Sequence, residues 1–155
     1  MSAKSVLFVC LGNICRSPLA EGVFAHHAAL AGADVEADSA GTSGWHIGEP
    51  PHRSSQAIAR SHGIDISRQR GRQVCPEDFS SFDLILGMDA ANVRALDELA
   101  AGTAGRAQTG LFMEYAGLGR IDVPDPWGGA EAGYSEVFDM IDTASPRILA
   151  RLLER

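Results

Sequence analysis

One short segment near the start of the chain constrains the fold more than any other. Residues 6–9, Val-Leu-Phe-Val, form a continuous apolar run, which is typical of a strand buried on both faces in a parallel sheet. A polar loop containing Gly12 follows, and Ser17 and Pro18 then suit the N-cap and the first position of a helix. The segment therefore predicts a strand, a tight loop and a helix, with Cys10 at the carboxyl end of the strand.

Strands and helices continue to alternate along the chain, which favours an α/β domain with a parallel sheet. Pro146 is expected to bend or interrupt the last helix, because proline has no N–H to donate. Strands are predicted at residues 35–40 and 82–86 and at one short stretch within 105–119, and helices at residues 17–32, 54–62, 89–99 and 131–153.

Composition excludes several classes of protein. Three cysteines are an odd number and do not favour a disulfide framework, so a reducing cytoplasm is expected, and the absence of a second paired cluster argues against a zinc site. A net charge of −7 opposes binding to nucleic acid or to an anionic membrane. No apolar run approaches the ~18 residues of a membrane span, and no secretory signal is evident at the N-terminus.

The loop between the first strand and the first helix has the features of an anion site. Gly12 and Asn13 can adopt the left-handed angles that turn successive N–H groups inward, and the N-terminus of the helix adds positive potential. Arg16 offers a planar fork of donors that matches two phosphate oxygens. The predicted phosphate-binding residues are Leu11, Gly12, Asn13, Ile14, Cys15, Arg16 and Ser17.

The same surroundings favour ionisation of the Cys10 thiol, because a helix N-terminus and an arginine both stabilise a thiolate. Ser17 could donate its hydroxyl to that sulfur. A thiolate beside a phosphate cradle is arranged for in-line attack on phosphorus. The alternative is that Cys10 is a small buried residue and Arg16 a surface charge.

Residues 9–18, reading V-C-L-G-N-I-C-R-S-P, resemble the signature of the low-molecular-weight protein tyrosine phosphatases. The likeness spans nearly the whole chain, since residues 39–45, 62–64, 82–86 and 125–127 occur in the family's order and spacing. It implies a single domain over residues 1–155, a three-layer α/β/α fold with a four-stranded parallel sheet. It also implies hydrolysis of phosphotyrosine through a phosphocysteine intermediate, without metal or other cofactor.

Asp125 lies between two prolines in a stiff loop, which could hold its carboxyl over a site or could form an ordinary Asp-Pro turn. The resemblance assigns to it the role of general acid. The resemblance also implies that Asn13, Ser39 and His62 form a network that fixes the loop, and that Asp83 braces the loop and its arginine. His62 could instead cap a helix, and Asp83 could be an ordinary charge at a strand start.

The two tryptophans, Trp45 and Trp127, lie in Gly/Pro-rich loops and could plug the core or wall a substrate cleft. The resemblance favours the cleft, with Leu11 and Ile14 along its floor, and a deep aromatic cleft favours phosphotyrosine over phosphoserine. Cys15 could be a packed thiol, or, as often in the family, could pair with Cys10 under peroxide.

Four functions remain open at this point: a protein-tyrosine phosphatase, a protein-arginine phosphatase, an arsenate reductase and a non-catalytic anion-binding protein. A protein-arginine phosphatase of the same family carries Thr where Ile14 stands, and a thiol-linked arsenate reductase needs further cysteines, of which only Cys75 lies downstream. A non-catalytic anion-binding protein would not need Cys10, Arg16 and Asp125 together. The expected partners are therefore a phosphotyrosine-containing protein or a small aryl phosphate, and inorganic phosphate, and the chain is expected to be a monomer.

Overall fold

The computed structural model describes residues 4–154. Its four strands form one parallel sheet in the order β2-β1-β3-β4, which places β1 at the centre. The elements are β1 (Lys4–Cys10), α1 (Arg16–Leu30), β2 (Val35–Gly41), α2 (Arg53–Ser61), α3 (Asp78–Ser81), β3 (Leu84–Gly87), α4 (Ala90–Ala101), β4 (Gln108–Leu111), α5 (Phe112–Tyr115) and α6 (Glu131–Leu153).

Strand β1 is apolar on both faces because helices cover the sheet on both sides. Val6 and Phe8 belong to a large core shared with α1 and α6, whereas Leu7 and Val9 belong to a second cluster with Phe79 of α3 and with α4. The predicted three-layer α/β/α architecture with a four-stranded parallel sheet is thus confirmed. Among residues 4–154, no helix combines the length and apolar character needed to cross a membrane.

Parallel strands end on the same edge of the sheet, and this edge gathers the loops that matter for function. Cys10 is the last residue of β1 and pairs in register with Gly41, the last residue of β2. Gly41 has to be a glycine, because a Cβ there would lie 2.8 Å from the carbonyl oxygen of Leu11. The close approach of these two strand ends leaves the loop after Cys10 packed against the start of the next loop.

Two local predictions need correction. Helix α1 begins at Arg16 with Cys15 as its N-cap, so Ser17 is not the cap; its hydroxyl turns to Cys10 instead. Helix α6 runs from Glu131 to Leu153 through Pro146 without interruption. Pro146 is exposed, and the helix continues past it although proline cannot donate a hydrogen bond to the preceding turn. The short helices α3 and α5 were not predicted, because a single helical turn carries no periodic signal.

Candidate active site

The loop between β1 and α1 is held in its curl by Asn13. Its φ angle is +57°, the left-handed region that the sequence predicted for Gly12 or Asn13, and its side chain is buried. Asn13 Oδ1 accepts a hydrogen bond from the backbone N–H of Arg72 at 3.0 Å. That bond fixes which way the amide points and directs Nδ2 toward the interior of the loop.

The sulfur of Cys10 lies among hydrogen-bond donors. Cys10 is 2% exposed, its Sγ lies 3.0 Å from Ser17 Oγ, and the backbone N–H of Asn13 points to it at 3.3 Å. Because helix α1 starts immediately after the loop, its unpaired N–H groups also face this region. These groups stabilise negative charge on the sulfur and would equally stabilise a phosphate oxygen.

A hydrogen-bonded network supports this arrangement from behind. Asn13 Nδ2 donates to Ser17 Oγ at 2.8 Å and to Ser39 Oγ at 3.0 Å. All three side chains are buried, so each hydrogen bond forms away from competing water. The structure therefore brings Asn13, Ser17 and Ser39 together behind the loop.

Arg16 is buried, with an exposed fraction of 2%, and its guanidinium is held at one end. Nη1 donates to Asp89 Oδ2 at 2.7 Å and to the carbonyl oxygen of Val123 at 3.0 Å. Within residues 4–154, these are the only hydrogen bonds that the guanidinium makes to the protein. Its Nε and Nη2 groups are therefore available to an anion in the loop.

Asp89, which the sequence reasoning missed, is the residue that holds this arginine. It is the N-cap of α4, in a capping box with Asn92, and follows the end of β3. Since β3 is parallel to β1 and adjacent to it, a carboxylate just beyond β3 lies beside the loop after β1. The sequence does place an Asp shortly after the predicted strand 82–86, which could have indicated a partner for Arg16. An Asp at that position is equally well explained as an ordinary helix cap.

Two of the predicted support residues lie elsewhere, which corrects their assignment. Asp83 is at the opposite end of the sheet, where it accepts hydrogen bonds from the backbone and side chain of Ser5. His62 is the C-cap of α2; its Nδ1 lies 3.1 Å from the carbonyl oxygen of Ile58, and its ring stacks on Phe138. Neither residue hydrogen bonds to the loop, because each is fixed by neighbours of its own.

Asp125 stands at the open side of the site. Its side chain is 46% exposed, its Oδ2 lies 3.8 Å from Arg16 Nη2, and its Oδ1 accepts from the backbone N–H of Trp127 at 3.1 Å. The carboxyl is thus held by its own loop rather than by burial. It lines the same cleft as the arginine.

The space above the loop is an open cleft with aromatic walls. Trp45 and Trp127 are 71% and 62% exposed, so they are not core residues, and both line the cleft. His46 lines it too, with its ring against Gly12, and was not singled out from the sequence. The lining residues are Cys10, Leu11, Gly12, Ile14, Cys15, Arg16, Trp45, His46, Asp125 and Trp127.

Cys15 lies in the same loop, where its thiol is buried against Tyr134. Burial raises the pKa of the Cys15 thiol to about 12, and the hydroxyl of Tyr134, 3.7 Å from its sulfur, opposes this only in part. Cys15 is therefore a neutral thiol at physiological pH. All three cysteines are free thiols in this structure, and the disulfide between Cys10 and Cys15 stays a prediction.

Comparison with known proteins gives a consistent result. A family model described as low molecular weight phosphotyrosine protein phosphatase matches residues 5–155. The chain is 42% identical to the low molecular weight protein-tyrosine-phosphatase YfkJ of Bacillus subtilis, over 96% of this chain and 95% of that protein. The crystal structure of YfkJ superposes with a TM-score of 0.87, covering 97% of this chain and 94% of that one.

Two further solved structures are similar to this chain over nearly its whole length. Vibrio vulnificus Wzb, solved in complex with benzylphosphonate, is 28% identical with a TM-score of 0.82, over 94% of this chain and 96% of that chain. A Drosophila arginine phosphatase is 29% identical with a TM-score of 0.88, over 96% of this chain and 98% of that chain.

Proposed function

Since the chain belongs to the low molecular weight phosphotyrosine protein phosphatase family, we propose that Cys10, Arg16 and Asp125 are the residues with which it hydrolyses phosphotyrosine. The observation that supports this most strongly is the surroundings of Cys10, whose sulfur lies 3.0 Å from the Ser17 hydroxyl in the loop that ends at buried Arg16. Asp125 lines the same cleft. Nucleophile, anion cradle and proton donor thus share one space.

In the first displacement, the Cys10 thiolate attacks phosphorus, so that an S–P bond forms as the bond to the tyrosine oxygen breaks. Nε and Nη2 of Arg16 and the N–H groups of the loop and of the start of α1 neutralise the equatorial oxygens of the transition state. Asp125, in its protonated form, gives its proton to the departing phenolate. Tyrosine has a pKa of about 10, so a positioned acid lowers this barrier substantially.

In the second displacement, water attacks the phosphocysteine. Asp125 is now a carboxylate and takes a proton from the water as the S–P bond breaks. The Cys10 sulfur leaves as a thiolate, to which Ser17 and the backbone N–H of Asn13 can donate hydrogen bonds. Inorganic phosphate then departs, and the enzyme returns to its starting state.

The cleft supports an aromatic substrate. Trp45 and Trp127 offer flat apolar surfaces to a phenyl ring, and apolar Ile14 lies in the loop below them. We expect phosphotyrosine peptides to be hydrolysed without added metal at a kcat/KM at least about tenfold above that of phosphoarginine peptides, because guanidinium recognition gains from a polar side chain at position 14. Equal or greater turnover of phosphoarginine in the same phosphate-release assay would contradict this assignment.

Asp89 provides a prediction about Arg16. Asp89→Asn keeps a good N-cap for α4 but removes the ion pair with Nη1. We expect kcat for phosphotyrosine to fall about 10- to 100-fold, the range expected for loss of one charge-assisted hydrogen bond. Asp122→Asn is the matched control, since Asp122 accepts from the backbone of Ala90 at the same helix start and is exposed. Equal losses in the two variants would show that the helix start, not the arginine, was disturbed.

We also infer that the enzyme works in the cytoplasm. Its mechanism needs Cys10 as a reduced thiol, and all three cysteines are free in the structure, which suits a reducing compartment. The acidic net charge of −7 opposes nucleic acids and anionic membranes as partners.

A further inference from the structure

The polar contacts behind the loop continue past Ser39 to a carboxylate that the mechanism above does not use. Ser39 Oγ donates to Glu21 Oε1 at 2.8 Å. Glu21 lies in α1, one turn after Ser17, and is partly buried between the helix and β2. Burial raises the pKa of Glu21 to about 7, and the charge of Asp38 adds to this effect, whereas the hydrogen bond from Ser39 opposes it.

Hydrogen bonds connect Glu21 to the nucleophile through a single amide group. Asn13 Nδ2 has two hydrogens; one goes to Ser17 Oγ and the other to Ser39 Oγ. The Ser17 hydroxyl can then donate to Cys10 and the Ser39 hydroxyl to Glu21. The amide of Asn13 is therefore the common donor of two arms, and each arm ends on an ionisable group.

The charge of Glu21 should affect both arms. When Glu21 is ionised, it polarises the Ser39 hydroxyl, which makes Ser39 a stronger acceptor for Asn13 and weakens the other hydrogen bond of the same amide. Ser17 is then less polarised and donates less strongly to Cys10. A second negative charge on this side of the loop also repels a thiolate and a phosphate dianion. A neutral Glu21 removes both effects.

We propose that Glu21 is a positioning residue of the phosphatase site, which weakens the donation from Ser17 to Cys10 when it is ionised and strengthens it when it is neutral. The inference rests on the proposed function, because it takes Cys10 as the nucleophile. The charged groups that face Glu21 are Asp38 of β2 and Arg72 of the segment before α3, and Arg72 is itself paired with Asp38 and Asp78.

The test compares kcat/KM for a phosphotyrosine peptide in the wild type and in Glu21→Gln, from about pH 5.5 to about pH 8.5. Below pH 7 the wild-type carboxyl is neutral and resembles the amide, so the ratio of variant to wild type should be close to one. Above pH 7 the wild type ionises and the ratio should rise to about 2- to 5-fold. Ionisations that are common to both enzymes cancel in the ratio, which therefore isolates the effect of Glu21.

Two further variants distinguish the hydrogen-bonded path from other effects. Glu36→Gln makes the same charge change at an exposed position of β2. The ratio of its kcat/KM to that of the wild type should not change with pH. Ser39→Ala breaks the arm between Asn13 and Glu21, and in that background the pH-dependent effect of Glu21→Gln should shrink to the part that direct charge repulsion contributes. A flat or falling ratio for Glu21→Gln, or a full effect without Ser39, would overturn the proposal.

The outcome separates this inference from the proposed function. If Cys10→Ser retained wild-type turnover in the same assay, the proposed function itself would fail. If turnover depended on Cys10 but the ratio for Glu21→Gln did not vary with pH, only the role of Glu21 would be wrong.

Discussion

Cys10→Ser is expected to lower phosphotyrosine hydrolysis by on the order of 10⁴-fold or more, to the background rate. A serine hydroxyl fills nearly the same space, but it does not ionise in a site that stabilises a thiolate, and its oxygen leaves phosphorus less readily than sulfur does. Both displacements are therefore blocked. The measurement is phosphate release from a phosphotyrosine peptide that carries a labelled phosphoryl group. Rapid acid quenching then detects any label that has been transferred to the enzyme.

Cys10→Ser should still bind phosphate. Arg16, the loop amides and the network of Asn13, Ser17 and Ser39 do not depend on the sulfur, so inorganic phosphate should bind with an affinity within about tenfold of the wild-type value. Cys75→Ser is the matched control: Cys75 lies outside the cleft, and the substitution should leave turnover unchanged. A labelled phosphoenzyme in Cys10→Ser, or lost turnover in Cys75→Ser, would refute the assignment of the nucleophile.

The parts of the site that are close in sequence could be predicted, because local chemistry decides them. A buried strand, a curl that needs a left-handed residue and a helix start fix the order from Cys10 to Arg16 within one short segment. Asn13 takes the left-handed angle there, and Arg16 is the first residue of α1. No contact with a distant segment of the chain has to be known to place these groups near one another.

The partners that come from distant segments could not be predicted in the same way, because they depend on strand order and register. Asp83 begins the segment that leads into β3, and since Val6 pairs with Leu84, it lies beside Ser5 at the start of β1. Cys10 lies five residue steps along the strand from Ser5, which is about 16 Å at ~3.3 Å per residue. Asp89, beyond the other end of β3, lies beside the loop and binds Arg16.

Packing and burial also distinguish between roles that the sequence alone left open. Trp45 and Trp127 could have been core residues, and the structure exposes both at the cleft. His62 and Ser39 were assigned the same supporting role, but only Ser39 lies beside Asn13, because β2 ends next to β1 whereas His62 caps a helix that packs on α6. Hydrogen-bonding capacity can be read from a sequence, but the neighbour that satisfies it is set by packing.

Asp125→Asn is expected to reduce kcat for phosphotyrosine by about 10²- to 10⁴-fold, the usual contribution of a positioned general acid. Asparagine can still accept the hydrogen bond from the backbone of Trp127, so the loop should keep its conformation. The ion pair with Arg16 is long, at 3.8 Å, and its loss should change phosphate binding little. We therefore expect kcat to fall while the affinity for inorganic phosphate stays nearly constant.

The leaving group separates an acid from a merely structural residue. A tyrosine phenolate, with a conjugate acid of pKa about 10, needs a proton as it departs, whereas p-nitrophenolate is a far weaker base and leaves without one. The loss on Asp125→Asn should therefore be at least about tenfold greater for phosphotyrosine than for the formation of phosphoenzyme from p-nitrophenyl phosphate. Hydrolysis of the phosphoenzyme should be slowed with either substrate, because the same carboxylate activates the water. Equal losses on both substrates in the first step would mean that Asp125 shapes the cleft without transferring the proton.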